Sequence, residues 1–235
     1  MLLFYVRHGH PTYNPDCLTE AGFKEAEALV CRTKQINPDR IFASTSTRAI
    51  QTGEPTAKYF GKEIETLDWC HENHAWHDLT VKTEEGGLTW GFDHKATAKL
   101  MASKEIRDMG EEWYKHPYFK DTNFESGINR IKRETYAFLE KLGYRHTKDG
   151  YEAIAPNEER VMLFAHQGFG LAFLSVLLDI PYPQFCTHFD MTYTGMTVID
   201  FRGDGLVTPR MLQLSNDSHL FASDIETVYN NGHKF

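Results

Sequence analysis

Leu2-Leu3-Phe4-Tyr5-Val6 is an unbroken apolar run that stops at Arg7-His8-Gly9-His10, and this opening constrains the fold more than any other stretch. A run of that length and residue type predicts a buried parallel strand. Such strands deliver ligand groups at their carboxyl ends, so Arg7 and His8 stand where chemistry is expected. Two further runs repeat the pattern. Ile41-Phe42-Ala43 leads into Ser44-Thr45-Ser46-Thr47-Arg48-Ala49-Ile50-Gln51-Thr52, and Val161 to Ala165 leads into His166-Gln167-Gly168 and an apolar segment, Phe169 to Leu178. An Arg-His pair after one strand can be an ordinary polar boundary. Three strand ends offering Arg7 with His8, Arg48 and His166 make a constellation.

The rest of the chain alternates helix and strand patterns, which predicts an α/β fold: a three-layer α/β/α sandwich with a mostly parallel central sheet. Thr19 is placed to cap a helix running to about Lys34, with Ala21, Ala26, Leu29 and Val30 facing inward. Ser46 or Thr47 caps the helix carrying Arg48, and Pro55 should kink or divide that helix before Gly61. Glu63 to Leu67 alternates as an outer strand would. Thr135 to Leu142, with Ile128 and Ile131 upstream, reads as an amphipathic helix ending at Gly143. Met196 to Phe201 and Leu206 to Leu214 look like two strands of a hairpin joined through Arg202-Gly203-Asp204-Gly205.

Composition narrows the functional classes. A chain of 235 residues can bury a substantial core, and one domain over 1–235 is the simpler organisation. The net charge of −8, without a Lys/Arg cluster, argues against a nucleic-acid surface, although a few local Arg and His charges can still dominate a pocket for a small anion. No apolar run approaches the roughly 20 residues of a membrane span, and Leu2 to Val6 is too short for a signal-peptide core. A cytoplasmic protein without membrane association is expected. Cys17, Cys31, Cys70 and Cys186 are scattered and form no CxxC pair, so reduced packing thiols are expected.

In order and in type, these motifs resemble the histidine phosphatase superfamily, the phosphoglycerate-mutase-like proteins. The marks are an RHG after the first strand, a later S-x-x-x-R-A-x-x-T-like segment and a second His after another strand. The resemblance implies a phosphoglycerate-mutase-like domain in which a helical, aromatic insertion at about 73–124 covers the active site. It implies His8 as nucleophile, forming a phosphohistidine that water hydrolyses, with Arg7, Arg48 and His166 around the phosphoryl group. No cofactor and no metal enter that scheme. The partner implied is a small phosphorylated substrate or inorganic phosphate; the sequence leaves the oligomeric state open.

Two roles are carried over on weaker patterns. Asn14, in Arg7-His8-Gly9-His10-Pro11-Thr12-Tyr13-Asn14, occupies the family position of an amide donor to phosphate, against a bland reading as a turn residue before Pro15. Pro11 stands where the family has Ser or Thr, which removes a hydroxyl. Glu72, in Trp69-Cys70-His71-Glu72, matches a Trp-x-x-Glu version of the family's general-acid pattern, with Asp68, Glu84 and Glu85 as alternatives.

Several rivals stay open. A metal-dependent hydrolase could use Cys70, His71, His74 and His77, but the HExH spacing lacks the HExxH separation that sets two histidines on one helix face. A cofactor-dependent phosphoglycerate mutase would need a long basic loop after the first motif, and here Asn14 is followed almost at once by Leu18-Thr19-Glu20-Ala21-Gly22. A catalytically silent phospho-ligand binding protein would not need all of Arg7, His8, Arg48 and His166. The expectation is a histidine acid phosphatase-like phosphomonoester hydrolase.

Overall fold

The first strand, Leu2–Arg7, lies inside a six-stranded sheet in a computed structural model that describes residues 1–234. The order across the sheet is Arg210–Asn216, Met196–Asp200, Leu2–Arg7, Arg160–Ala165, Arg40–Ser44 and Ile64–Leu67. Leu2–Arg7, Arg160–Ala165, Arg40–Ser44 and Ile64–Leu67 pair in parallel, and Met196–Asp200 pairs antiparallel with both of its neighbours. The expected mostly parallel sheet is therefore present.

Alternation along the strands separates two apolar layers. Phe4, Val6, Ile41, Ala43, Met162 and Phe164 pack with Leu29 and Ala57 of the helices Glu20–Ile36 and Thr47–Phe60. Leu3, Tyr5, Phe42, Leu163 and Ala165 face the other way, against Phe138 and Phe173 of the helices Phe124–Lys141 and Gln167–Leu177. Each fully buried Val, Leu, Ile, Phe or Met among them stabilises the fold by about 1.5–3 kcal/mol. Helices on both sheet faces complete the three layers.

The register brings the functional strand ends level. Arg7 is opposite Ala165, and Ala43 is opposite Phe164, so His8, Ser44 and His166 emerge together at one edge. Gly9 and Gly22 let the first of these loops press against the following helix. A Cβ on Gly22 would lie 2.2 Å from the His10 carbonyl oxygen, and one on Gly9 would lie 2.8 Å from that of Gly22.

Local expectations are met with corrections. Thr19 does cap Glu20–Ile36, its hydroxyl accepting from Gly22 N at 3.2 Å, but Gly22 and Glu25 face inward while Ala21 is exposed. The glycine contact with His10 sets that rotation. Pro55 does not divide Thr47–Phe60, which runs continuously to Gly61. Neither Ser46 nor Thr47 caps this helix with its own side chain. Instead the Asp16 carboxylate accepts from Thr47 N and Ser46 Oγ, both at 2.9 Å. The hairpin expected through Arg202 to Gly205 is interrupted: Gly205–Val207 leaves the main sheet to pair with Gly150–Ala153, and Arg210–Asn216 returns beside Met196–Asp200.

The aromatic segment at 73–124 divides into two roles. Trp113, Phe119 and Phe124 are buried and pack with Tyr182 and one another. They extend the main core. Trp76 and Trp90 stay partly exposed and line a cavity at the strand ends.

Candidate active site

That cavity, of about 580 Å³, opens where Arg7 and His8 leave the sheet. The His8 ring hydrogen-bonds through Nδ1 to the Gly9 carbonyl at 2.7 Å. A carbonyl only accepts, so the proton is on Nδ1 and the lone pair is on Nε2. Burial, reinforced by the Arg7 and Arg48 charges, holds the His8 pKa well below the ordinary imidazole value. The ring is therefore neutral, with Nε2 unprotonated.

Two guanidinium groups flank it. Arg7 is almost fully buried, donating from Nη1 to Met191 O at 2.5 Å and from Nη2 to Asn230 Oδ1 at 2.6 Å, with its Cζ 4.1 Å from the centre of the Tyr193 ring. Arg48 opens the second helix, ion-paired through Nη1 to Asp16 and donating from Nη2 to His166 Nδ1 at 3.2 Å. Burial opposes the Asp16 charge, yet the hydrogen bond and charge of Arg48, with the hydrogen bonds from Ser46 and Thr47 N, together outweigh it and the pKa is lowered. Nε of Arg7 and Nε of Arg48 are buried without a hydrogen-bond partner among the described residues. An unpaired buried donor on a cation costs free energy that an anion would recover.

His166 sits behind this pair. Its ring is fully buried, 5.2 Å from that of His8, with Nε2 2.8 Å from Ser44 Oγ. Because Nδ1 accepts from Arg48, Nε2 carries the proton and donates it to Ser44. In this arrangement both ring nitrogens are engaged, Nδ1 by Arg48 and Nε2 by Ser44. Burial, with His8 and Arg48 nearby, holds its pKa well below normal.

Glu72 begins the helix Glu72–Leu79 and lines the cavity. Its Oε1 and Oε2 accept from Gly168 N at 3.0 Å and Phe169 N at 2.9 Å. Burial raises its pKa, and these two backbone donors only partly counter the rise. The helix carrying it is held in place by Asp78, which accepts from Arg130 Nε at 2.8 Å. The other candidate acids lie elsewhere: Asp68 is exposed and paired with His74 at 3.1 Å, and Glu84 and Glu85 are exposed on a hairpin turn.

Residues 3–113 match the family described as histidine phosphatase superfamily (branch 1). This match spans a little under half of the chain. Solved structures agree on the fold. A mycobacterial glucosyl-3-phosphoglycerate phosphatase, in a complex with VO3, is 19% identical with a TM-score of 0.59, covering 92% of this chain and 99% of that one. An Entamoeba histolytica phosphoserine phosphatase, in complex with 3-phosphoglyceric acid, is 18% identical with a TM-score of 0.60, covering 93% and 98%. A protein described as mycobacterial hydrolase 1 is 17% identical with a TM-score of 0.58, covering 92% and 98%. Comparison with curated protein sequences gives no match.

Arg7, His8, Arg48 and Glu72 line one cavity, but Asn14 does not. Asn14 is exposed on the turn between Pro11–Tyr13 and Asp16–Leu18, so its bland reading describes its place. An amide does reach the site from the far end of the chain. Asn230 accepts from Arg7 and from Tyr193 OH at 3.0 Å and donates to Gln167 Oε1. His10, held 2.9 Å from Thr19 Oγ1, does not line the cavity.

Other groups escaped the sequence reading. Asp16, Tyr13, Asn73, Gln167 and Asn230 all border the cavity at positions to which no motif assigns a role. Glu25 lies beneath the first loop, accepting from His10 N at 2.7 Å, and burial raises its pKa to about 7. His71, His74 and His77 are not gathered together. His71 Nδ1 accepts from Asn73 N, His74 pairs with Asp68, and His77 contacts Asn123. Among the described residues no three His, Cys, Asp or Glu side chains form a group that could hold a metal ion.

Proposed function

We propose that this protein hydrolyses phosphomonoesters through a phosphohistidine on His8, within a single domain capped by the segment at about 73–124. The observation that carries this reading is the His8 ring itself. It is kept neutral, with its proton committed to Gly9 O and Nε2 free, between two buried guanidinium groups.

Nε2 attacks phosphorus as the bond from phosphorus to the ester oxygen breaks, and Glu72 gives its proton to the departing oxygen. Arg7 and Arg48 neutralise the charge spread over the equatorial oxygens, with His166 orienting Arg48. Their fixed forks suit two phosphate oxygens at once. Water then attacks the phosphohistidine, Glu72 takes up its proton, and inorganic phosphate leaves with His8 restored. The family match and the phosphatases among the structural neighbours favour this chemistry, and phosphate or a small phosphorylated compound is the ligand it calls for.

Hydrolysis is favoured over mutase action because a short hairpin, Pro11–Tyr13 with Asp16–Leu18, connects the first motif to its helix and leaves no basic loop to grip a second phosphate. Rapid quench with a ³²P-labelled phosphomonoester tests the mechanism. Label should appear on the protein in an acid-labile, base-stable form and then as free phosphate, and His8→Ala should lose both while keeping the wild-type circular dichroism. Unlabelled wild-type protein during steady turnover refutes the phosphohistidine. Interconversion of 3-phosphoglycerate and 2-phosphoglycerate, dependent on 2,3-bisphosphoglycerate and without phosphate release, refutes hydrolysis.

A further inference from the structure

The cavity is lined by charged and by aromatic groups. Arg7 and Arg48, its only fixed cations among the described residues, both act on His8. Tyr13 lies against the Arg48 guanidinium, 5.2 Å from its carbon to the ring centre, while Trp76 and Trp90 line the cavity together with His71 and Asn73. Burial, with Arg48 nearby, lowers the His71 pKa, so this imidazole adds no positive charge at neutral pH. The carboxylates on the wall are Asp16 and Glu72. Glu72 is neutral in the proposed mechanism and Asp16 is already paired with Arg48, so a leaving group bearing a carboxylate or second phosphate would find no further cation there and lose its hydration without a counter-ion.

The aromatic wall is fixed in place. Trp90 stacks on Phe92 with centroids 5.6 Å apart and planes at 11°, and meets Trp76 edge to face at 4.9 Å. Its other constraint is Gly168, where a Cβ would fall 2.4 Å from the indole ring. Gly168 also donates its N–H to Glu72. The missing side chain thus lets an indole stand directly beside the group that would protonate the leaving oxygen. Rigid rings bind rings with little loss of side-chain freedom.

We propose that the substrate is a phosphomonoester of an alcohol carrying one uncharged ring, with the ring seated against Trp76 and Trp90. This rests on the phosphomonoesterase reading above. It assigns specificity to the aromatic segment and separates this site from any built for acidic phosphorylated metabolites.

The test compares phosphate release from 2-phenylethyl phosphate, ethyl phosphate and 3-phosphoglycerate, whose leaving oxygens are all alkyl. The expected kcat/KM for 2-phenylethyl phosphate exceeds that of the other two by about tenfold or more. Trp76→Ala should bring the ratio of 2-phenylethyl to ethyl phosphate down towards unity, mainly through KM, and Trp76→Phe should restore most of it. Equal or better use of 3-phosphoglycerate overturns the proposal while leaving the phosphatase standing, as does a ratio unmoved by Trp76→Ala. No release from any of the three by folded protein overturns the phosphatase reading and this inference with it.

Discussion

Arg48 and His166 are 118 residues apart in sequence and joined by a 3.2 Å hydrogen bond, donated by the guanidinium to Nδ1 of the imidazole. The bond fixes the tautomer of His166 and the plane of Arg48 together. With Asp16 on its other side, Arg48 is held in one orientation before any ligand arrives. Preorganised donors of this kind stabilise a phosphoryl transition state because they need not turn at the moment of reaction.

Arg48→Lys should therefore lower kcat/KM by about 100-fold, the consequence of losing a charge-assisted hydrogen bond of about 2–3 kcal/mol. Inhibition by inorganic phosphate should weaken in parallel. Steady-state kinetics with an aryl phosphomonoester measure both. A loss of less than about threefold would mean that lysine's point charge suffices and that the held plane of Arg48 is irrelevant.

Glu72 and His8 together set the expected pH profile. Activity requires neutral His8, whose pKa lies well below the ordinary value, and protonated Glu72, whose pKa lies above it. Activity should rise on the acid side as His8 loses its proton and fall on the alkaline side as Glu72 loses its own. Glu72→Gln should depress alkyl phosphates by about 100-fold or more and nitrophenyl phosphate far less, since nitrophenolate leaves unprotonated. Equal losses for both substrates would remove Glu72 from the proton-donor role.

These groups were unequally legible. Arg7, His8, Arg48 and His166 follow apolar runs whose composition declares them strands, and parallel pairing then forces their ends to meet. Glu72 was readable through its short distance from the edge strand Ile64–Leu67. Asp16 and Asn230 were not. Their contacts with Arg48 and Arg7 depend on how a hairpin tip and the C-terminal segment fold back, and no periodic pattern encodes that. Asn14 misled because its motif position was kept while the turn it sits in aims it outward. Ala21 misled for a similar reason: a close backbone approach at Gly22, rather than side-chain hydrophobicity, sets the rotation of its helix.

Chelation tests the histidine-rich segment. His71, His74 and His77 have separate partners, and the proposed chemistry draws on none of them as ligands. Prolonged dialysis against EDTA should leave phosphatase activity within about twofold of the untreated protein. Loss of activity that zinc restores would transfer the chemistry to this segment.

Glu25 offers a test of stability that does not depend on activity. Its side chain is buried against the turn of Gly9 and His10, and burial raises its pKa from 4.5 to about 7. The folded protein thus keeps a proton that the unfolded chain gives up at lower pH. Between about pH 4.5 and 7 the native state binds more protons at this site, so its contribution to stability falls as the pH rises and levels off above about 7. The full difference amounts to about 3 kcal/mol. Gln keeps an oxygen to accept from His10 N and cannot ionise, so Glu25→Gln should raise Tm at pH 8 by several degrees and have little effect near pH 5. Thermal melts of both proteins at the two pH values decide it. A change in Tm that is the same at pH 5 and pH 8 would show that the carboxyl does not titrate across this range, and a lower Tm at both would show that the amide cannot be accommodated beneath the loop.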